Sequence, residues 1–187
     1  MSVNSGAIVE FDRLVIEQVR QLTSPEVTGL MKRFSVVGSA WFVIILAAAT
    51  ALILQVVLGH RQELLLFAGA IAGSALLNVL LKLWFERARP TLEPIVTAAG
   101  YSFPSGHSMG AASFYGILTY LLWRHMSGKT ARGLLLAASG VMIVGIGVSR
   151  IYLGVHYPSD VVGAYLISFA WLALAVLIFR RMFGKRY

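Results

Sequence analysis

Long apolar runs alternate with short polar segments along most of the chain, and the runs have the length of membrane-spanning helices. They occupy residues 36–58, 64–81, 108–123, 133–148 and 161–179. Because a helix needs about 17–25 apolar residues to cross the hydrocarbon core, the pattern predicts about five transmembrane helices. The third and fourth runs are short, which is tolerated where helix ends recede into a polar pocket inside the protein.

The residues before the first run show a different periodicity. Apolar side chains recur at helical spacing, with charged side chains largely between them: Ile8, Phe11, Val15, Val19 and Leu22. This pattern predicts an amphipathic helix that lies either on the membrane surface or on a polar face of the protein itself. Ser24-Pro25-Glu26 then has the residues of a capped helix start.

Composition supports a membrane protein, since 58% of residues are hydrophobic and 13% are charged, against about 25% charged in soluble domains. We expect an all-α polytopic bundle in one domain, residues 1–187. It would comprise an amphipathic segment (1–35), a transmembrane core (36–180) and a basic tail (181–187). The first 35 residues lack the pattern of a cleaved signal peptide, so we expect the N-terminus to be retained. Cysteine is absent, which excludes disulfides and cysteine chemistry.

The net charge of +8 could indicate nucleic-acid binding, but the charge distribution favours membrane topology. With five spans, the 59–63 turn, the 124–132 loop and the C-terminal tail share one side, which holds eight Lys and Arg against one acid, Glu63. The positive-inside rule makes that side cytoplasmic. We therefore expect a protein of the lipid bilayer, in a bacterial inner membrane, with no nucleic-acid partner.

Three polar segments fall on the opposite, extracytoplasmic side: residues 82–90, 104–107 and 149–160. In Pro104-Ser105-Gly106-His107, Ser105 is placed to cap the third span, which leaves the amides of Gly106 and His107 near an open helix N-terminus. Such a terminus favours an anion. Taken alone, this signal is weak, because many helices begin this way and bind nothing.

Three cations accompany it. Lys82 and Arg89 flank the end of the second span, and Arg150 ends the fourth. Guanidinium groups match phosphate oxygens in pairs, whereas Lys supplies a point charge. The alternative is that Lys82 and Arg89 only extend to the membrane interface.

His156 and Asp160 complete the set, the first in a loop and the second in the first turn of the fifth span. A carboxylate there can fix one imidazole nitrogen and free the other for attack; the alternative is a solvated loop histidine beside a capping acid. Two histidines and a carboxylate could also ligate zinc or iron. The neighbouring cations favour an anion instead, so we expect no metal and no cofactor.

In the order Lys-x6-Arg-Pro, Pro-Ser-Gly-His and Ser-Arg-x5-His-x3-Asp, the chain resembles the type 2 phosphatidic-acid phosphatase family from Lys82 to Asp160. The resemblance implies that His156 is a nucleophile forming a phosphohistidine, that Asp160 orients it, and that His107 is the general acid. It also implies metal-independent catalysis and these phosphate-binding residues: Lys82, Arg89, Ser105, Gly106 and Arg150. Membrane members of the family commonly have six spans, one more than predicted here.

A site at a span end favours a lipid substrate: phosphatidate, phosphatidylglycerophosphate or undecaprenyl diphosphate. The alternatives are a lipid phosphotransferase and a non-catalytic lipid-phosphate binder. Aromatic residues near the polar segments could line a tail entrance or form an interfacial belt: Trp84, Phe85, Tyr101, Phe103 and Tyr152. Of the remaining charges, Glu86, Arg87 and Glu93 are interpreted as solvated loop residues that could touch a headgroup.

Overall fold

The structure, a computed structural model, describes residues 6–57, 59, 61–91 and 94–184. All regular elements in these ranges are helical, which confirms the predicted all-α class. The helices are α1 (Gly6–Gln21), α2 (Pro25–Val37), α3 (Ala40–Leu52, continued by a π-helical stretch Ile53–Val57), α4 (Arg61–Phe85), α5 (Gly106–His125), α6 (Lys129–Tyr152) and α7 (Pro158–Phe183).

Three of these helices, α4, α6 and α7, are long and apolar enough to cross a membrane. The pair Pro25–Val37 and Ala40–Val56 passes the same test as a span bent by 50°, which raises the number to four. Large apolar side chains on α4, α6 and α7 face outward, as the lipid-facing side of a bundle requires. The predicted membrane helix bundle is confirmed, with three or four candidate spans among the described residues.

The first predicted span, 36–58, begins differently from our expectation. The helix breaks at Gly38 and Ser39, because the Ser39 hydroxyl caps α3 by accepting from the amide of Phe42 at 3.4 Å. A Cβ on Gly38 would lie 2.4 Å from Cγ2 of Ile146. The glycine therefore lets the bend approach α6 closely, which an apolar run alone does not reveal.

Helix α5 lies at the centre of the bundle and packs against α3, α4, α6 and α7. Its buried face contributes Phe114, Ile117 and Leu121 to the main apolar core. Phe114 meets Phe67 of α4 edge-on, with ring centroids 6.2 Å apart. This central position holds the first turn of α5 in place at one end of the bundle.

The N-terminal segment is helical as predicted, and α1 packs against the ends of α6 and α7. The Ser24 hydroxyl caps α2 by accepting from the amide of Val27 at 3.2 Å, as the Ser-Pro signal indicated. At the other terminus α7 reaches Phe183. The last three residues of the predicted basic tail, 185–187, lie outside the described residues.

Candidate active site

The polar segments meet at one end of the bundle, where α4 and α6 finish and α5 and α7 begin. The described residues between α4 and α5 (86–91 and 94–105) and the loop 153–157 between α6 and α7 lie at this end. The amide of Ser105 donates to the carbonyl of Asp160 at 3.3 Å, which ties the start of α5 to the start of α7. Two helix N-termini are therefore held side by side.

Ser105 is the N-cap of α5, as the sequence predicted. Its hydroxyl accepts from the amide of Ser108 at 3.4 Å and from the Ser108 hydroxyl at 2.9 Å. The first amides of a helix have no acceptor within it, so those of Gly106 and His107 are available to an anion. A Cβ on Gly106 would lie 3.3 Å from Oδ1 of Asn78, so glycine keeps this approach open.

His156 and Asp160 form a buried pair, with Nδ1 of His156 3.4 Å from Oδ2 of Asp160. The same oxygen accepts from the amide of Tyr157 at 2.9 Å and from the hydroxyl of Ser102 at 2.5 Å. Burial lowers the pKa of His156 to about 4, although the hydrogen bond and charge of Asp160 act to raise it. The imidazole is therefore neutral near pH 7, and the carboxylate favours a proton on Nδ1, which leaves Nε2 as the basic nitrogen.

Arg89 is held by three backbone carbonyls. Its Nε and NH2 donate to Gly100 and Ala99 at 2.9 and 2.8 Å, and its NH1 donates to Val155 at 2.7 Å. NH1 also lies 3.3 Å from Nε2 of His156. Among the described residues no carboxylate is in direct contact with Arg89, so its positive charge lies uncompensated next to the free nitrogen of the histidine.

Lys82 and Arg150 approach from the ends of α4 and α6. The Lys82 ammonium donates to the carbonyl of Tyr101 at 2.5 Å. Arg150 is 4% exposed, and its NH1 donates to the hydroxyl of Ser35. Its Nε has no hydrogen-bond partner, and among the described residues it is the one fully buried side-chain polar atom in that state. Because leaving such a donor unsatisfied is costly, this arrangement suits a ligand that brings an acceptor.

His107 faces this group of charges. Arg150, His156, Arg89 and Lys82 all lie within electrostatic reach of its ring. All the site residues that the sequence singled out therefore converge at this end of the bundle. The result is a cluster of three cations, two helix N-termini and a neutral imidazole, which can hold a phosphate and attack it.

The sequence interpretation of Arg87 was wrong. Arg87 is 7% exposed, and it forms ion pairs with Asp12 at 2.8 Å and Asp160 at 2.6 Å. Its ion pairs with these two carboxylates stabilise the buried charge, and both carboxylates are distant from Arg87 in the sequence. One signal was present: Asp12 stands four residues after Ile8, within the apolar stripe of α1.

Other residues also differ from expectation. Ser102 and Ser35, which bond Asp160 and Arg150, carry no motif signal. Phe103 and Tyr152, which we considered for a tail entrance or a belt, are each 8% exposed and pack inside the protein. Glu93 lies outside the described residues.

An apolar groove of about 370 Å³ opens between α3, α4 and α5. It is lined by Val43, Ile71, Ala75, Val79 and Gly110, and it ends at Asn78, Gly106 and His107. Asn78 donates to the carbonyl of Pro104 at 3.2 Å. The groove therefore joins the membrane-facing part of the bundle to the histidine that borders the phosphate cluster.

Known proteins share this architecture. A crystal structure of a transmembrane PAP2-type phosphatidylglycerolphosphate phosphatase from Bacillus subtilis superposes with a TM-score of 0.82, over 99% of this chain and 92% of that one, at 28% sequence identity. Phosphatidylglycerophosphatase B of B. subtilis is 43% identical over 94 residues, 50% of this chain and 46% of that protein.

A putative undecaprenyl-diphosphatase, YbjG of Escherichia coli, is 33% identical over 134 residues, 68% of this chain and 63% of the relative. The chain thus spans less than two thirds of the length of either of these two sequence relatives. The sequence model of the PAP2 superfamily matches residues 63–183, a stretch that contains every polar segment of the cluster. The chain belongs to the PAP2 superfamily.

Proposed function

We propose that this protein is an integral membrane lipid phosphatase that acts through a phosphohistidine on His156. The observation that carries the proposal is the environment of Nε2. This nitrogen faces Arg89 at 3.3 Å, while Nδ1 faces the carboxylate of Asp160 at 3.4 Å. An imidazole held in this way presents its lone pair to whatever anion Arg89 binds.

The phosphate oxygens would be held by Arg89, Arg150 and Lys82, together with the amides at the start of α5. The Nε donor of Arg150, buried without a partner, would find its acceptor in one of these oxygens. Fixed donors of this kind stabilise the charge that develops on a transferring phosphoryl group without reorganisation. Ser105 contributes through the cap that shapes this helix start.

In the first step Nε2 of His156 attacks phosphorus and the bond from phosphorus to the lipid oxygen breaks. Burial and the neighbouring cations lower the pKa of His107 to about 3, so the negative charge of the bound phosphate must bring this ring to its protonated form. Protonated His107 then gives its proton to the lipid oxygen, and the lipid alcohol leaves neutral. In the second step water attacks the phosphohistidine, His107 takes a proton from the water, and the nitrogen–phosphorus bond breaks to release inorganic phosphate. Asp160 stabilises the positive charge of the ring in both steps.

The substrate would be a lipid with a terminal phosphate, its chain lying in the groove between α3, α4 and α5. The relatives named above support a phosphatidylglycerophosphate or a polyprenyl diphosphate, and phosphatidate carries the same terminal group. The groove ends at His107, which is where the leaving oxygen of the lipid must be.

The test is release of inorganic phosphate from these three lipids by the purified protein in nanodiscs, with chelator present. We expect turnover, and we expect His156→Ala to abolish it while the variant still binds lipid. Full turnover by His156→Ala would contradict the mechanism, and a requirement for added metal would contradict the assignment. Transfer of labelled phosphate to an acceptor lipid, with little free phosphate, would instead indicate a phosphotransferase.

We further propose that the site faces the extracytoplasmic side of a bacterial inner membrane, with the C-terminus cytoplasmic. The basic loop between α5 and α6 supports this orientation. Because the chain has no cysteine, single-cysteine variants report the side directly. An impermeant maleimide applied to spheroplasts should label Thr97→Cys and spare Ser127→Cys, both exposed positions. The reverse pattern would overturn the orientation.

A further inference from the structure

Helix α1 buries an acid. Asp12, 3% exposed, is the one buried residue of this helix, whose apolar side chains Val9, Phe11 and Leu14 are about half exposed. A buried carboxylate is costly unless it is paired and hydrogen-bonded. The position of Asp12 therefore depends on what it contacts.

The Asp12 carboxylate contacts both the start of α7 and the loop after α4. Its Oδ1 accepts from the amide of Ser159 at 2.8 Å. Its Oδ2 accepts from the Ser159 hydroxyl at 2.7 Å and from NH2 of Arg87 at 2.8 Å. One acid thus joins the N-terminal helix, the loop after α4 and the first turn of α7.

Arg87 continues this connection to the catalytic pair. Its NH1 donates to Oδ1 of Asp160 at 2.6 Å, and its guanidinium lies over the ring of Tyr157, 4.2 Å from the centroid. The two oxygens of Asp160 therefore have separate partners: Oδ1 binds Arg87, and Oδ2 faces His156. A carboxylate bound on both oxygens is fixed in its rotation about the bond to Cβ.

We propose that Arg87 and Asp12 are positioning residues of the reaction. Arg87 fixes Asp160 so that Oδ2 faces the imidazole, and Asp12 holds Arg87 and the start of α7 in register. The inference rests on the proposed role of His156 as nucleophile. It makes α1 part of the active-site support, in addition to any role at the membrane surface.

The charges explain why Arg87 does not act as another phosphate ligand. It is in direct ion pairs with two carboxylates, whereas Arg89, Arg150 and Lys82 have none within the part of the chain that the structure describes. Its guanidinium donors are engaged by Asp12, Asp160 and Ser159. The fork of an arginine matches such a set of oxygens, whereas a lysine ammonium cannot span it.

The same arrangement predicts that removing the charge of Arg87 and removing the charge of Asp12 have opposite effects on protonation of the pair of His156 and Asp160. Charged and titratable groups from five parts of the chain surround the pair of His156 and Asp160. They are Lys82 (α4), Arg87 and Arg89 (the loop after α4), His107 (α5), Arg150 (α6) and, behind Arg87, Asp12 (α1). Removing the cation of Arg87 makes the pair bind a proton at higher pH. Removing the anion of Asp12 exposes the pair more strongly to Arg87, which lowers that pH.

The experiment measures kcat and KM for phosphate release across pH for Arg87→Gln, Arg87→Lys and Asp12→Asn, per folded molecule. We expect kcat of Arg87→Gln to fall about 10- to 100-fold, as for other groups that orient a reactive side chain, with KM changed by less than about twofold. The acidic limb of its profile should move to higher pH. Arg87→Lys should recover the charge effect and only part of kcat. Asp12→Asn, which is nearly isosteric, should move the acidic limb of the profile to lower pH.

Arg13→Gln is the matched control, since Arg13 lies on the same helix and, among the described residues, forms its ion pairs with the exposed Glu10 and Glu17. It should behave as the wild type. Unchanged kcat and pH profile in Arg87→Gln, or shifts of the same sign in Arg87→Gln and Asp12→Asn, would overturn the inference. If Arg87→Gln does not fold, Arg87→Lys and Asp12→Asn carry the test. Wild-type turnover by His156→Ala would instead refute the proposed function, and this inference with it.

Discussion

NH1 of Arg89 lies 3.3 Å from Nε2 of His156 and, at 2.7 Å, donates to the carbonyl of Val155 in the same loop. The histidine nitrogen that faces the cation is the one turned away from Asp160. A phosphate drawn to Arg89 is therefore brought to the lone pair of the neutral ring. In the proposed mechanism, phosphate binding and attack depend on the same contact, so the two cannot be changed independently at Arg89.

Arg89→Lys should lower kcat/KM by about 10- to 100-fold, since a hydrogen bond to a charged group contributes about 1.5–3 kcal/mol. Lysine keeps the charge but cannot reach Gly100, Ala99 and Val155 together. Arg132→Lys is the control, because Arg132 lies over Trp123 at the other end of the bundle. Steady-state phosphate release gives both values, and equal losses in the two variants would contradict the assignment.

The pH dependence follows from the buried state of His156. Burial lowers its pKa to about 4, and in the proposed mechanism the neutral form is the nucleophile. We therefore expect no loss of activity from this group between pH 7 and 5, and a decline as pH falls through about 4.

Phosphomonoesters themselves titrate near pH 6, so the profile should be measured with a monoester and with a diphosphate lipid. A limb that belongs to His156 stays in place when the substrate changes. The same lowered pKa reduces stability as pH falls from 6.5, the ordinary value, towards about 4, because the unfolded chain then binds the extra proton. A limb near 6.5 with both substrates would show that the ring is not held neutral.

Ala75→Phe should fill part of the groove between α3, α4 and α5, which Ala75 lines. We expect KM for a long-chain lipid phosphate to rise about tenfold or more, as pocket occlusion does in other enzymes. A short, water-soluble phosphate ester should be hydrolysed as before, since the phosphate cluster is untouched. Leu80→Phe, at an exposed position of the same helix outside the groove lining, is the control. Equal effects on both substrates would place the lipid chain elsewhere.

The contact between α6 and α7 gives a stability prediction. A Cβ on Gly147 would lie 1.8 Å from the hydroxyl oxygen of Tyr165 and 2.7 Å from Cγ1 of Val161. Gly147→Ala should therefore cost about 1–3 kcal/mol through overpacking. Gly140 lies earlier on α6 with open space around it. Gly140→Ala should leave the free energy of unfolding unchanged or raise it by up to about 1 kcal/mol. Thermal unfolding in detergent compares them, and identical melting temperatures would contradict the packing.

Local signals in the sequence predicted the helices and the caps. Apolar runs, Ser24 before Pro25 and Ser105 before Gly106 each act over a few residues, and the structure places helix starts there. The break at Gly38 was missed because the run around it remains apolar, and only the approach of Ile146 shows why glycine is needed.

The site could be predicted as a set of residues but not as a network. Counting the apolar spans placed His156, Asp160 and the cations on one side of the bundle. Contacts that join distant parts of the chain were not visible: Arg87 meets Asp12 across 75 positions, and Arg150 meets Ser35 across 115. Such pairs form only when tertiary packing brings them together, so the sequence left Arg87 as a solvated charge.

The groove and the phosphate cluster meet at the wall formed by Asn78, Gly106 and His107. If the lipid alcohol retreats along the groove while phosphate departs through the polar end, the two products enter different phases, one the bilayer and the other water. Accumulated alcohol and accumulated phosphate would then slow the enzyme from separate compartments. The alcohol content of the membrane and the phosphate concentration of the medium would each affect the rate independently, because the two products leave by different routes.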